Sequence, residues 1–208
     1  MRRMIAFGAA AATAAAATAG VVLFTGSQAS AATSTAHAVL RDASGKQVAE
    51  VTFSRHAHDG STLVEAIFFP DANVTKGAFH GFHIHANNDP ATGAGCKADP
   101  TKTSDTWFLS ADGHLSKTGQ THSSHQGDMP SVLIQRNGSA HLVFTSDRFT
   151  PGDLVGKAVV VHAKPDNFGN VPVGDAADQY TANKVDATTK TAKTGNAGDR
   201  VACGVIRR

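Results

Sequence analysis

The sequence predicts an all-β fold, an antiparallel β-sandwich or barrel with two long functional loops. Apolar residues recur with the two-residue period of half-buried strands in several short segments. Residues that favour turns separate these segments, and no window of helical length carries a sustained apolar stripe of period 3.6. Consecutive strands joined by turns rather than by crossover helices favour an antiparallel arrangement.

The predicted strands follow one another through the middle of the chain. AHAVLRDASGKQVAEVTF contains two strands around a turn at 42–45, and TLVEAIFF, FHGFHIH and KAVVVHA add further strands. SVLIQRNGSAHLVF predicts a hairpin whose turn contains Asn137 and Gly138. Two polar segments, 87–129 and 165–200, form the long loops, and loops of that length inside a compact domain are usually functional.

The first 31 residues predict a secretory signal peptide that is cleaved after Ala31. MRRM provides a basic start, AFGAAAATAAAATAGVVLF an apolar middle, and Ala29-Ser30-Ala31 a small-residue cleavage site. A retained anchor is the weaker interpretation, because Thr and Gly interrupt the apolar stretch. Export by the general or the twin-arginine route stays open. Residues 32–208 are then one secreted or cell-envelope domain with no integral membrane segment.

Charge and cysteine content narrow the class of protein further. Cleavage removes Arg2 and Arg3 from the 19 basic residues and no acidic residue, leaving 17 of each sign. This balance gives no reason to expect a nucleic-acid partner. The two cysteines, Cys96 and Cys203, are expected to form one disulfide in an exported chain, with two free buried thiols as the alternative.

The most informative short motif is GFHIH, at 81–85. In a strand, His83 and His85 point to one face while Phe82 and Ile84 point to the other. For an isolated motif, a solvated polar face is as good an interpretation as a metal site. The metal interpretation gains from VVVHA, which ends an apolar strand on His162, and from GHLSKTGQTHSSHQGD, which is rich in metal-binding side chains.

These side chains suggest two metal sites. The strand histidines, His83, His85 and His162, form an all-imidazole set that suits copper. The loop set mixes imidazole with one carboxylate, which suits tetrahedral zinc; it consists of His122, His125 and Asp128. Either site needs one more ligand, and His114 is nearest in sequence to the zinc set.

The ordered motifs GFHIH, GAGC, GH, HQGDMPSV, VVVHAKPDN and GNAGDRVACGVI resemble the signatures of the Cu/Zn superoxide dismutase family. The resemblance runs from about Ala38 to Ile206. It implies the Ig-like Greek-key β-sandwich or barrel of that family. It also implies an oxidoreductase that converts superoxide to O2 and H2O2 by alternating reduction and oxidation of a histidine-bound copper.

The resemblance assigns roles to single residues. It implies a copper set of His83, His85, His114 and His162, and a zinc set of His114, His122, His125 and Asp128. His114 would be a deprotonated imidazolate between the two metals and would take part in catalysis. Cys96 and Cys203 fall on the family's disulfide positions. Asp166 matches the carboxylate that links a copper histidine to a zinc histidine, and Arg200 matches the arginine at the mouth of the copper site.

Two segments depart from the family pattern. Only Ser123 and Ser124 separate His122 from His125, where relatives usually have a longer glycine-rich segment, and a helical turn would still direct both rings toward one ion. HANNDPATGAGC is longer than the matching segment of many relatives. Because this loop usually shapes the subunit contact, both a monomer and a homodimer stay open.

Two other function classes stay open at this stage. One is a non-catalytic copper- and zinc-binding module of the same fold, which Arg200 and the full copper set disfavour. The other is a zinc hydrolase, which would need an open zinc position and a carboxylate base, and no second carboxylate lies in the motif. Among the other histidines, His80 is expected to bond the backbone. His37, His56, His58 and His141 fall outside the family's ligand pattern, and RHAHD, which contains His56 and His58, is expected to be a solvated loop.

Overall fold

Nine antiparallel β-strands organise the part of the chain that the computed structural model describes, residues 35–70, 73–168 and 187–208. The predicted signal peptide, 1–31, lies outside these residues. The strands are β1 (Thr35–Asp42), β2 (Gln47–Arg55), β3 (Thr62–Phe68), β4 (Ala78–His80), β5 (Phe82–His85), β6 (Val132–Ile134), β7 (Ala140–Ser146), β8 (Ala158–His162) and β9 (Arg200–Val205). All neighbours pair antiparallel.

The strands form a seven-stranded sheet and a two-stranded sheet. The order in the large sheet is β5-β8-β9-β1-β2-β3-β7, and β4 pairs with β6 in the small one. Because β5 and β8 are neighbours, the histidine motif lies directly beside the strand that ends on His162. The all-β antiparallel class with long loops, predicted from the sequence, is confirmed.

The core follows from the two-residue alternation of the strands. In β1, buried Ala36, Ala38 and Leu40 alternate with more exposed residues, and β3 repeats the pattern. Phe68 and Phe82 meet edge to face with ring centroids 6.2 Å apart. Burial of a side chain of this size stabilises the fold by about 1.5–3 kcal/mol. The core thus fixes β5 firmly through its apolar face.

The predicted hairpin between SVLIQ and AHLVF is wrong, although its turn is present. Gln135 N donates to Ser139 O at 2.9 Å, and Gly138 occupies a positive φ of 87°. The two strands then separate, because β6 pairs with β4 in the small sheet while β7 pairs with β3 in the large one. A turn motif depends on a few neighbouring residues, whereas strand pairing depends on how the side chains of each strand pack in the folded protein.

The described residues contain little helical structure. Two short 3-10 helices, Ser104–Thr106 and Leu109–Ala111, lie in the first long loop, and α1 (Ala187–Thr194) lies in the second. The sequence did not predict α1, since ATTKTAKT has no apolar stripe of helical period. Within the described ranges, no helix combines the length and apolar character needed to cross a bilayer.

The predicted disulfide between Cys96 and Cys203 is confirmed. Their Cα atoms are 5.5 Å apart, and Cys203 is buried in β9. The bond fastens the long loop after β5 to the middle of the large sheet, across 107 positions of sequence. Phe108, also buried, packs in the same small cluster as Cys203.

Candidate metal centre

The motif on β5 is buried on both faces. Phe82 and Ile84 belong to the main core, and His83 and His85 are also fully buried on the opposite face. The interpretation of this face as solvated is therefore wrong. The loop that follows β5 covers it instead.

Backbone hydrogen bonds align that loop with β5. Leu115 N donates to Ile84 O, and Ile84 N donates to Gly127 O, both at 2.8 Å. These bonds place His114 opposite His85 and Asp128 opposite His83. A side chain at Gly127 would prevent the approach, since its Cβ would lie 2.2 Å from Ile84 O.

The first set of ligands consists of four buried imidazoles with one ligand atom each, all within 4.8 Å of one another: His83, His85, His114 and His162. His85 Nδ1 donates to Asp112 O at 2.7 Å, and His162 Nδ1 donates to Gly198 O at 3.0 Å. Since carbonyl oxygens only accept, the protons lie on Nδ1, and both Nε2 atoms keep free lone pairs. These two Nε2 atoms are 3.3 Å apart.

The remaining nitrogens of this set lack partners. His83 Nδ1 and His114 Nε2 are buried without a hydrogen bond within the described part of the chain. A buried polar atom left unpaired costs about 1–3 kcal/mol, so such atoms call for a ligand. Four converging imidazole nitrogens suit a copper ion, and the set therefore fits that metal.

The imidazoles of the first set are held neutral, which is the form that binds metal. Burial lowers the pKa of all four histidines, and for His162 the pKa falls to about 3. The positive charge of Arg200 also lowers the pKa of His85 and of His162. No proton therefore has to leave these side chains before a metal binds near neutral pH.

The second set lies around Asp128 Oδ1. Its distances are 2.8 Å to His114 Nδ1, 3.0 Å to His122 Nδ1 and 3.4 Å to His125 Nδ1. His125 Nδ1 is also 3.3 Å from His114 Nδ1. Ligands at tetrahedral zinc are about 3.3 Å from one another, given Zn–N bonds of about 2.0–2.1 Å, so the set fits zinc.

The two sets lie side by side, with the rings of His83 and His114 between them. His114 turns Nδ1 toward the second set and has its Nε2 free on the side of the first. His83 also comes within 4.8 Å of ligand atoms of His114, His122 and Asp128. The ring centroids of His83 and His114 are only 4.0 Å apart.

The second set contains a histidine whose pKa is raised, whereas the pKa values of the first set are lowered. Burial lowers the pKa of His122, but the carboxylates of Asp128 and Asp166 beside its ring outweigh this and raise the pKa to about 9. Burial would raise the pKa of Asp128, but His114 and His122 hold it well below its usual range. His122 is therefore protonated near neutral pH when no metal is bound.

Asp166 lies outside the two sets and contacts one ring of each. His83 Nε2 donates to its Oδ2 at 2.5 Å, and His122 Nε2 donates to its Oδ1 at 2.7 Å. Both rings thus keep Nδ1 directed toward the ligand sets. Gly195, at φ +62°, makes room for this carboxylate, because a Cβ there would lie 1.6 Å from Asp166 Oδ1.

Arg200 stands beside the first set at the start of β9. Its guanidinium donates to the carbonyl oxygens of Phe108 and Asp112, and Asp112 O also accepts from His85. Both Phe108 and Asp112 have positive φ, so the loop presents its carbonyls in an unusual conformation. Arg200 is partly buried, and burial lowers the pKa of its guanidinium while the negative charge of Asp112 opposes the shift.

The structure brings the predicted ligands into one buried cluster. The four ligand atoms around Asp128 that all lie within 4.8 Å of one another come from His83, His114, His122 and Asp128. His125 is outside this group, and its Nδ1 approaches Asp128 and His114. The expected helical turn between His122 and His125 is instead a pair of tight turns, in which Ser124 N donates to Thr121 O at 2.7 Å. His80 bonds the backbone as expected, through contacts of 2.7 Å to His162 O and 2.8 Å to Thr75 O. Sequence reasoning missed the structural roles of Asp112, Gly127, Gly195 and Gly198.

Comparison with known proteins finds relatives of one family. The family model of copper/zinc superoxide dismutase matches residues 48–206. Superoxide dismutase [Cu-Zn] of Mycolicibacterium paratuberculosis is 37% identical over 176 residues, covering 80% of this chain and 71% of that protein. The Mycobacterium bovis protein of the same name is 40% identical over 136 residues, covering 62% of this chain but only 52% of its own length.

More distant matches extend these findings. Extracellular superoxide dismutase [Cu-Zn] of Brugia pahangi is 30% identical, covering 84% of this chain and 76% of that protein. Among solved structures, the clock protein EA4 has a TM-score of 0.58 at 26% identity, covering 84% of this chain and 94% of its own. A SOD-like protein from Bacillus subtilis shares the fold, with a TM-score of 0.56 at 19% identity, covering 83% of this chain and 97% of its own. With a family match over most of its length, this chain belongs to the copper/zinc superoxide dismutase family.

Proposed function

We propose that this chain is a superoxide dismutase that converts two superoxide anions and two protons into O2 and H2O2. The first set would hold copper, and the second set, around Asp128, would hold zinc. The observation that carries this proposal is the buried His114 ring, with Nδ1 at the carboxylate of the second set and an unpartnered Nε2 facing the first. A single imidazole thereby belongs to both sets.

The residues around the centre have separable tasks. When bound, copper would supply the one-electron redox couple that the dismutation of superoxide needs. His83, His85 and His162 hold their ring orientation through the acceptors on their outer nitrogens. His114 is the group placed to hold or release a proton at Nε2, while the zinc set fixes its Nδ1 side.

Arg200 is proposed to guide the anionic substrate. Its charge is close enough to lower the pKa of His85 and His162, so the same field acts on an anion approaching these rings. The two carbonyl partners hold the guanidinium in place. A fixed, permanently charged fork can both attract and orient a diatomic anion.

We also propose that residues 1–31 are a cleaved signal peptide and that residues 32–208 act outside the cytoplasm as one domain. The disulfide and the extracellular relative from Brugia pahangi support this. N-terminal sequencing of protein recovered from the medium or the cell envelope tests it. A mature protein that begins at residue 32 is expected, and one that retains residues 1–31 contradicts the proposal.

Superoxide decay followed by stopped-flow spectroscopy tests the enzymatic proposal. Protein reconstituted with both metals should contain one copper and one zinc per chain and accelerate the decay well beyond the same amount of free copper complex. A protein that binds both metals without accelerating the decay would instead be a metal-binding module. Copper uptake without zinc would overturn the assignment of the second set.

A further inference from the structure

The loop that carries the second set is short and receives an external contact that the proposed function does not use. Between His122 and His125 lie only two residues, so few backbone groups are available to hold the loop in place. Two carbonyl oxygens of this loop, those of Ser123 and His125, point toward the end of β7. The side chain that meets them there is Arg148.

Arg148 holds both carbonyls with one nitrogen. Its Nη1 donates to Ser123 O at 3.2 Å and to His125 O at 2.9 Å. The other side of the His125 residue is fixed as well, because His125 N donates to Asp128 Oδ2 at 2.9 Å. His125 is thus held by Asp128 through its amide and by Arg148 through its carbonyl.

The backbone of Arg148 is anchored in the core by the next residue. Phe149 is buried and meets Phe53 edge to face, with ring centroids 6.2 Å apart. Its carbonyl oxygen accepts from the buried Thr62 Oγ1 at 2.6 Å. Arg148 therefore extends from a fixed position in the fold to the loop, which a side chain on a mobile segment could not do.

We propose that Arg148 is a positioning residue for the zinc set, which replaces the internal support of a longer loop. This inference rests on the assignment of zinc to the second set in the proposed function. Within the described residues, the guanidinium of Arg148 donates to backbone carbonyls of this loop and not to a side chain of either set. It acts through the peptide of His125 and thereby fixes the direction of the His125 ring toward Asp128 and His114.

Metal affinities of the metal-free full chain test this role. Zinc and copper dissociation constants are measured separately, by competition with chelators, for the parent protein and for Arg148→Ala, Arg148→Lys and Arg136→Ala. Arg136 is the matched control, since it is also an exposed arginine in a loop next to β7. The melting temperature of each metal-free protein is measured in parallel.

Arg148→Ala is expected to weaken zinc binding about 10-fold or more, the usual effect of losing a partner that orients a ligand. Copper affinity and the metal-free melting temperature should not change, and Arg136→Ala should match the parent. Arg148→Lys should fall between the parent and Arg148→Ala, because an ammonium keeps the charge and the donors without the planar geometry.

Two results would overturn the inference. One is an unchanged zinc affinity in Arg148→Ala. The other is an equal loss of zinc and copper affinity together with a lower melting temperature, which would indicate a merely structural role. If the parent binds zinc without accelerating superoxide decay, the proposed function is wrong but the role of Arg148 in zinc binding is unaffected. If the parent takes up no zinc, both the proposed function and the role of Arg148 are wrong.

Discussion

Asp166 Oδ2 lies 2.5 Å from His83 Nε2, and both side chains are fully buried. The hydrogen bond sets the tautomer of His83 and directs its Nδ1 to the first set. The second oxygen of the same carboxylate serves His122 in the second set. One carboxylate therefore orients a ring in each set. Its loss should weaken the binding of both metals, but not equally.

Asp166→Asn is expected to weaken zinc binding by about 10- to 100-fold, as losses of such orienting partners generally do. The Asn side chain has one oxygen, so it can accept a hydrogen bond from either His83 or His122 but not from both. Its NH2 group would then face the N–H of the other ring, and two donors cannot form a hydrogen bond. Copper should be retained better, because His85 and His162 keep their own backbone acceptors. Elemental analysis after dialysis against a chelator measures both metals, and full zinc retention in the variant would refute this account of Asp166.

Gly195→Ala should reproduce the zinc loss of Asp166→Asn. An added Cβ would lie 1.6 Å from Asp166 Oδ1 and 2.7 Å from His122 Nε2, so the carboxylate would have to move. Gly45→Ala is the matched control, since Gly45 also has positive φ but nothing lies within 4 Å of a Cβ there. Both variants should lose about 1–2 kcal/mol of unfolding free energy from the left-handed backbone.

The difference between the two glycine variants is the informative quantity. Chemical denaturation of the metal-free proteins measures the unfolding free energy, and chelator competition measures the zinc affinity. Only Gly195→Ala should lose zinc affinity. Equal zinc affinities in the two variants would show that Asp166 tolerates displacement.

Arg200→Ala should lower the rate constant for superoxide decay and weaken its dependence on ionic strength, because it removes a positive charge that acts on His85 and His162. Arg200→Lys separates charge from geometry. It keeps the positive charge but does not provide the planar fork that serves Phe108 O and Asp112 O together. Stopped-flow measurements across a range of salt concentrations should therefore give the highest rate constant for the parent, a lower one for Arg200→Lys and the lowest for Arg200→Ala. Only Arg200→Ala should show a weaker salt dependence.

The strands and the ligand types could be predicted because they depend on local patterns. Alternation on β5 separates His83 and His85 from Phe82 and Ile84, and the structure keeps that separation. Pairing could not be predicted in the same way, as the strands on either side of Gly138 show. They share a turn but complete different sheets, and the turn motif contains no information about that choice.

The supporting residues of the site were missed for a related reason. Asp112 and Gly198 act through backbone carbonyls, so their side-chain chemistry gives no signal for the contacts with His85 and His162. Gly195 directly follows α1 and has positive φ, as glycines that end helices commonly do, but the sequence did not predict that helix. Its closeness to Asp166 depends on the packing of two distant segments and is not visible in either one alone.

Zinc binding to the metal-free protein should release close to one proton at neutral pH, whereas copper binding to the same protein should release almost none. The pKa of His122 is raised to about 9, so its ring is protonated at pH 7 and must lose that proton to bind zinc. His162, whose pKa is lowered to about 3, is already neutral, as are the other imidazoles of the first set whose pKa burial lowers. Zinc affinity should accordingly fall as the pH decreases below about 9.

The raised pKa of His122 also makes the stability of the metal-free protein depend on pH. Protonated His122 stabilises the metal-free fold below its ordinary pKa of 6.5, and this contribution is lost as the pH rises through about 9. Calorimetric zinc titrations at pH 7, in two buffers with different ionisation enthalpies, count the protons released, and copper titrations serve as the control. Equal proton release for the two metals would contradict the charged state of His122, and the two carboxylates beside its ring would then need another proton or cation to balance them.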